Sequence, residues 1–130
     1  MVEMKRLLRS LWLMTTLVIV AGSLLPGDSM PMKTLEHLDI SDKIEHFGAY
    51  SVFMFLPAIH ERWKLVASVA LGGLLLGIGL EFGQLYSPGR SFEIADMIAD
   101  TLGVCFGFCI AIPVRSSGAV RTLLYPNRTS

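Results

Sequence analysis

The chain has 130 residues, one domain's worth, and is 52% hydrophobic and only 17% charged, with a mean hydropathy of +0.56. A soluble domain with so few charges would expose large apolar patches, a difficulty that lipid as the solvent removes. Its 11 Lys+Arg balance 11 Asp+Glu, and no basic cluster lies away from the apolar stretches, so no nucleic-acid partner is expected.

In chain order, the first apolar stretch covers about 7–25, with Lys5 and Arg6 before it and Arg9 at its start. It resembles a signal peptide in its basic start and in Ala21, Gly22 and Ser23, but the length of the run favours a retained span. Pro26, Gly27 and Pro31 break the helix and open a segment to Ser41, with a helical turn expected at Thr34–Leu38. The second stretch, about 43–59, reaches spanning length only if its polar start is immersed. A tight turn at His60–Lys64 leads into the third, about 65–85. A Ser-Pro-Gly-Arg link leads into the fourth, about 94–114, and residues 115–130 are read as a flexible cytoplasmic tail. Short links make antiparallel neighbours. The expected fold is therefore all-α, a single domain over 1–130, a membrane bundle of four transmembrane helices.

Orientation follows the basic residues. With the N-terminus in the cytoplasm, Lys5, Arg6, Arg9, Arg62, Lys64, Arg115, Arg121 and Arg128 are inside, leaving Lys33, Lys43 and Arg90 outside. Both termini are then cytoplasmic. The pairs Gly73/Gly77, Gly79/Gly83 and Gly103/Gly107 predict close helix packing within one bundle. Cys105 and Cys109, one turn apart, read as small buried packing residues. His60 and His37 read as surface histidines.

Helical spacing gathers polar residues on three faces: Asp42, His46, Tyr50 and Phe53 on the second span; Glu81 and Gln84 on the third; Glu93, Asp96 and Asp100 on the fourth. Counted from the cytoplasmic ends, His46, Glu81 and Asp100 stand roughly 20, 24 and 22 Å up. Carboxylates at one depth in lipid should turn inward and meet. Asp42, Glu45, Glu81, Glu93, Asp96 and Asp100 face only Lys43, Arg90 and His46. Protonation, splaying into water or a bound cation would relieve the crowding. Carboxylates with one imidazole suit a divalent cation, but no spacing demands one, so no cofactor and no metal ligand is assigned. Helix capping is an alternative use for Asp42, Glu45 and the Pro88–Glu93 stretch.

At these residues the chain resembles the VanZ-like family of small bacterial membrane proteins. SDKIEHFGAY (41–50) is similar to that family's Asp-Lys-x-x-His-Phe-x-x-Tyr segment. EFGQLYSPGRSFEIADMIADTLG (81–103) is similar to its Glu-x-x-Gln, Pro-x-Arg, Asp and Gly pattern, and Ser23 and Pro26 also fit. Asp100 departs from the family's usual Asn. The resemblance implies a multi-pass protein of the bacterial inner membrane, in a family linked to reduced susceptibility to the glycopeptide teicoplanin, with no known reaction. It carries over Asp42, Lys43, His46, Tyr50, Glu81, Gln84, Arg90 and Asp96; Asp100 joins them by position.

Beyond the lipid bilayer, the expected partner is a cell-wall precursor or lipid-linked ligand. If a reaction occurs, His46, Glu81 and Asp96 are the candidate acid and base, with Arg90 on an anionic group. A non-enzymatic envelope-binding protein is the alternative. A small ion-coupled transporter fits less well, because its ionisable groups belong nearer the midplane.

Overall fold

The computed structural model describes residues 2–26, 29, 30, 33 and 42–124. The expected turn at Thr34–Leu38 and His37 lie outside them. Among the described residues the fold is all-helical, with no strand: α1 Val2–Leu24, α2 Asp42–His60, α3 Trp63–Gln84, α4 Ile94–Ser116 and α5 Gly118–Leu124. In lipid a backbone polar group has no water to turn to, which favours helix even through α3 with its five glycines.

Three helices, Glu3–Leu24, Trp63–Gln84 and Ile94–Ser116, are long and apolar enough to cross a membrane. Asp42–His60 is not among them, because Asp42, Lys43, Glu45 and His46 occupy its first turns. Four spans are thus not established by length and composition. The reason lies in the packing. α2 is the central helix, set against α1, α3 and α4 and most extensively against α4. A helix enclosed by its neighbours need not be apolar where those neighbours supply polar partners.

Small residues make the α2–α4 approach close. A Cβ at Gly103 would stand 2.5 Å from the Phe47 carbonyl oxygen, and one at Gly107 would overlap the Ser51 carbonyl oxygen. Gly73 accommodates the Phe53 ring, Gly77 the Asp100 carboxylate and Gly83 the Leu24 side chain. Gly79 meets nothing within 4 Å, so half of the Gly79/Gly83 pair makes no such contact.

The outward faces are apolar: Leu7, Leu11, Met14 and Leu17 on α1; Leu71, Leu75 and Phe82 on α3; Ile98, Leu102, Phe106 and Ile110 on α4. Cys105 and Cys109 are exposed on this outer surface, not buried as expected. An apolar helix face facing lipid and one facing protein look alike in sequence. The segment read as a flexible tail begins inside α4, which runs to Ser116, and continues as the short helix α5.

The end of the bundle where α2 meets α3 is tied by basic residues. Arg9 Nε donates to Glu61 Oε1 at 2.6 Å, and His60 Nε2 lies 3.2 Å from the same oxygen. Arg115 Nη1 donates to the carbonyls of Ala58 at 2.9 Å and Glu61 at 2.6 Å, with its guanidinium 4.4 Å over the Trp63 ring. His60, expected at the surface, is buried at 4% exposure. The Arg9 guanidinium holds the Glu61 carboxyl below its ordinary range, against a smaller opposing push from burial.

Candidate functional site

At the opposite end the polar faces of α2, α3 and α4 converge. The backbone arranges this without special geometry. α2 carries Asp42, His46 and Tyr50 at successive turns, α3 ends on Glu81 and Gln84, and α4 begins with Asp96 and Asp100. Tyr50, Glu81, Gln84 and Asp96 are each 1% exposed and Asp100 is 2% exposed. His46 Nδ1 lies 2.8 Å from Asp100 Oδ1. With the proton on Nδ1 the ring donates to that carboxylate and leaves Nε2 as the nitrogen available to a ligand. Asp100 Oδ2 and the Tyr50 hydroxyl both abut the bare backbone of Gly77, 2.7 and 3.2 Å from where a Cβ would stand.

The α3–α4 link positions the remaining groups. Ser87-Pro88-Gly89-Arg90 closes a turn through the Arg90 N–H donating to Ser87 O at 3.2 Å, and Gly89 has φ 73°. That left-handed value suits glycine at the third place of a turn with Pro at the second. Arg90 leaves the turn towards α1, where Nη2 donates to Gly22 O at 3.1 Å and Nε to Leu25 O at 3.4 Å, while Ser87 Oγ donates to Leu24 O at 3.1 Å. These carbonyls are the ones a helix C-terminus leaves without partners. Arg90 is therefore an anchor for α1 as well as a cation, with Nη1 3.6 Å from Asp42 Oδ1.

Glu93 stands at the N-cap of α4 but makes no side-chain capping bond, unlike the capping use considered for it. Its N–H donates to Glu81 Oε2 at 3.0 Å, and its carboxylate accepts from Lys43 Nζ at 2.5 Å and from Ser91 Oγ at 3.3 Å. Chiefly through Lys43, the Glu93 carboxyl is held below its ordinary range. Lys43 Nζ also lies 3.3 Å from Asp96 Oδ1, an ion pair without hydrogen-bond alignment. The Tyr50 hydroxyl, Glu81 Oε1, Gln84 Nε2 and Asp96 Oδ1 are buried without a hydrogen bond.

Beside this cluster is a cleft of about 160 Å³ lined in part by Asp42, Glu45, His46, Tyr50 and Arg90. Its other wall is α1: Val18, Ile19, Gly22 and Ser23. Of the residues singled out from sequence, Asp42, His46, Tyr50 and Arg90 line the cleft. Lys43, Glu81, Gln84, Asp96 and Asp100 lie outside its lining: Asp100 reaches His46, Lys43 reaches Glu93 and Asp96, and Glu81 takes the Glu93 N–H. The α1 wall was missed, since small and aliphatic residues carry no chemical signal; only Ser23, 8% exposed, is polar.

An apolar helical bundle with a buried acidic cluster at one end defines a class of membrane proteins whose polar centre is enclosed by its own helices. Within that class the VanZ/LLP1 family model matches residues 5–115, and the chain belongs to this family. No curated protein and no solved structure matches the chain.

Proposed function

We propose that this VanZ-like protein crosses the bacterial inner membrane four times, with both termini cytoplasmic. Its outer-facing cleft binds or modifies a lipid-linked or other cell-envelope molecule, and its expression lowers teicoplanin susceptibility. The orientation rests on the excess of Lys and Arg at the end holding Arg9, Arg62, Lys64 and Arg115.

The observation that carries the ligand class is the two-sided cleft. Asp42, Glu45, His46 and Arg90 form a polar wall and Val18 and Ile19 an apolar one, and Val18 is 64% exposed on the outer surface. A pocket enclosing a whole drug-sized ligand runs to roughly 300–1,000 Å³. The smaller cleft here suits a head group whose chain lies along α1. If a reaction follows, His46 is the base and Asp100 steadies the imidazolium it becomes, with Glu81 or Asp96 as acid.

Glu81→Gln and Asp96→Asn test this reading, because each keeps volume while removing one of the crowded charges. Expected are wild-type membrane yield and thermal stability in detergent, with lost protection against teicoplanin in cells expressing either variant. Yield and protection falling together would mean that the acids only hold the bundle. Single cysteines at Ser87 and Ser117, in a chain with Cys105 and Cys109 replaced, test the orientation: Ser87 should label from outside intact cells and Ser117 only after lysis.

A further inference from the structure

Among the described residues the acidic end is short of positive charge. Six carboxylates, Asp42, Glu45, Glu81, Glu93, Asp96 and Asp100, meet the ammonium of Lys43, the guanidinium of Arg90 and the imidazole of His46. Lys43 is committed most closely to Glu93, at 2.5 Å. Its approach to Asp96 is looser and not aligned as a hydrogen bond, and Arg90 reaches Asp42 only at 3.6 Å while spending other N–H groups on α1 carbonyls. Asp42 and Asp96, each loosely paired, both lie beside His46.

Ligand atoms of Asp42, His46 and Asp96 lie within 4.8 Å of one another. Asp96 is 1% exposed and its Oδ1 accepts no hydrogen bond, so a buried carboxylate oxygen beside His46 has lone pairs to spare. His46 is already oriented, because Asp100 takes its Nδ1. A carboxylate on one ring nitrogen and an ion on the other is how proteins commonly fix a metal-binding histidine. Ligands at about 2.0–2.2 Å from one ion stand roughly 3–3.6 Å apart, so closure needs movements of about 1 Å, within the reach of Asp42 on its exposed first turn.

We propose that Asp42, His46 and Asp96 bind a divalent cation. The donor set, one imidazole and two carboxylates, suits manganese, iron or zinc better than calcium or magnesium. Three protein ligands leave coordination positions open, and Asp42 and His46 line the cleft. The inference deepens the reading of the cleft given above and rests on it in one respect: the ion supplies the positive charge by which an acid-lined cleft holds the phosphate of a lipid-linked head group. In this arrangement Lys43 competes with the ion for Asp96, and His46 and Asp96 serve the ion in place of the acid–base roles considered for them above.

The experiment is a Mn2+ titration of the full chain, stripped with chelator and purified in lipid-free detergent, followed by loss of the free-ion electron paramagnetic resonance signal. Mn2+ is the probe because the exposed thiols of Cys105 and Cys109 attract it little. Expected is one saturable ion per chain, with affinity reduced at least about tenfold by His46→Gln and by Asp96→Asn, and raised severalfold by Lys43→Gln. Absence of saturable binding, wild-type affinity in His46→Gln or Asp96→Asn, or no gain in Lys43→Gln would each overturn the site. If the two buried-site variants do not purify as single species, Asp42→Asn and Lys43→Gln decide, with loss required of the first and gain of the second. Lipid retained on purification, read by native mass spectrometry, separates the two readings. A chain that binds Mn2+ but keeps no lipid retains the cation site and loses the head-group reading; one that keeps lipid but binds no Mn2+ does the reverse.

Discussion

The two ends of the bundle are both rich in charge and use it differently. At the basic end Glu61 takes Arg9 and His60, and Arg115 closes on two carbonyls and an indole face. At the acidic end, carboxylates outnumber cations among the described residues, and four buried polar atoms lack a hydrogen bond against two, Trp12 Nε1 and His60 Nε2, towards the basic end. Matched charge in a membrane protein is what packing alone requires. An excess of one sign, kept inside at several kcal/mol per unpaired ion, points to something that binds there.

The largest effect belongs to neither end but to the seam that holds both. Gly107→Ala places a methyl on the Ser51 carbonyl, backbone against backbone, so α2 must move off α4. Overpacking of this kind costs about 3 kcal/mol. Membrane yield and thermal stability should fall, and the acidic and basic ends should fail together. A stable Gly107→Ala protein would show that the close α2–α4 approach is not what holds the ends in register.

Next comes the clasp. Arg115→Met keeps much of the side-chain volume but removes two charge-assisted bonds and the cation over Trp63, leaving the Ala58 and Glu61 carbonyls short of a donor. The expected loss is about 2 kcal/mol of stability, with protection per molecule of folded protein unchanged. Lost protection at normal stability would erase the distinction between the ends.

Much of the acidic end was legible because carboxylates and histidine are rare in apolar helices and their spacing fixes a face. His46, Glu81, Gln84, Asp96 and Asp100 could be grouped from turns of 3.6 residues and a common depth. The α1 wall of the cleft was not legible, because Val18, Ile19 and Gly22 read as any lipid-facing helix does. Arg90 was read as a free cation for a ligand; its bonds to Gly22 and Leu25 depend on α1 lying alongside, which no local pattern records. His60 was misplaced for a similar reason. Its neighbours Glu61, Arg62 and Lys64 mark a polar turn, but Arg9, 51 positions earlier, comes back to share the Glu61 carboxylate with it. Local periodicity shows which residues share a helix face and is silent on what that face meets.

A smaller effect sharpens the acidic end. Asp100→Asn keeps an oxygen acceptor for the His46 Nδ1–H and removes the charge. Replacing a charge-assisted hydrogen bond with a neutral one costs about 1 kcal/mol, or roughly fivefold in protection. The loss should be milder than for Asp96→Asn. If Asp100→Asn were the more damaging of the two, the negative charge behind His46 would matter more than the acids beside it.

The smallest effect is a pH dependence confined to the clasp. Arg9 lowers the folded-state pKa of Glu61 below its unfolded value. A depressed carboxylate contributes stability that is present above the unfolded pKa and lost as pH falls through the folded one. Relative to Glu61→Gln, the wild type should therefore be more stable at neutral pH, and the difference should shrink from about pH 4.3 downward. Arg9 is 60% exposed along its side chain, so solvent screens the pair and the difference at neutral pH should be small. Thermal unfolding of both proteins in detergent, from pH 7 to pH 3, measures it. Comparing the two proteins at each pH cancels the protonation of the acidic end, which they share. A difference that persisted unchanged to pH 3 would mean that Glu61 acts through packing or its contact with His60, and that the clasp is not held by charge.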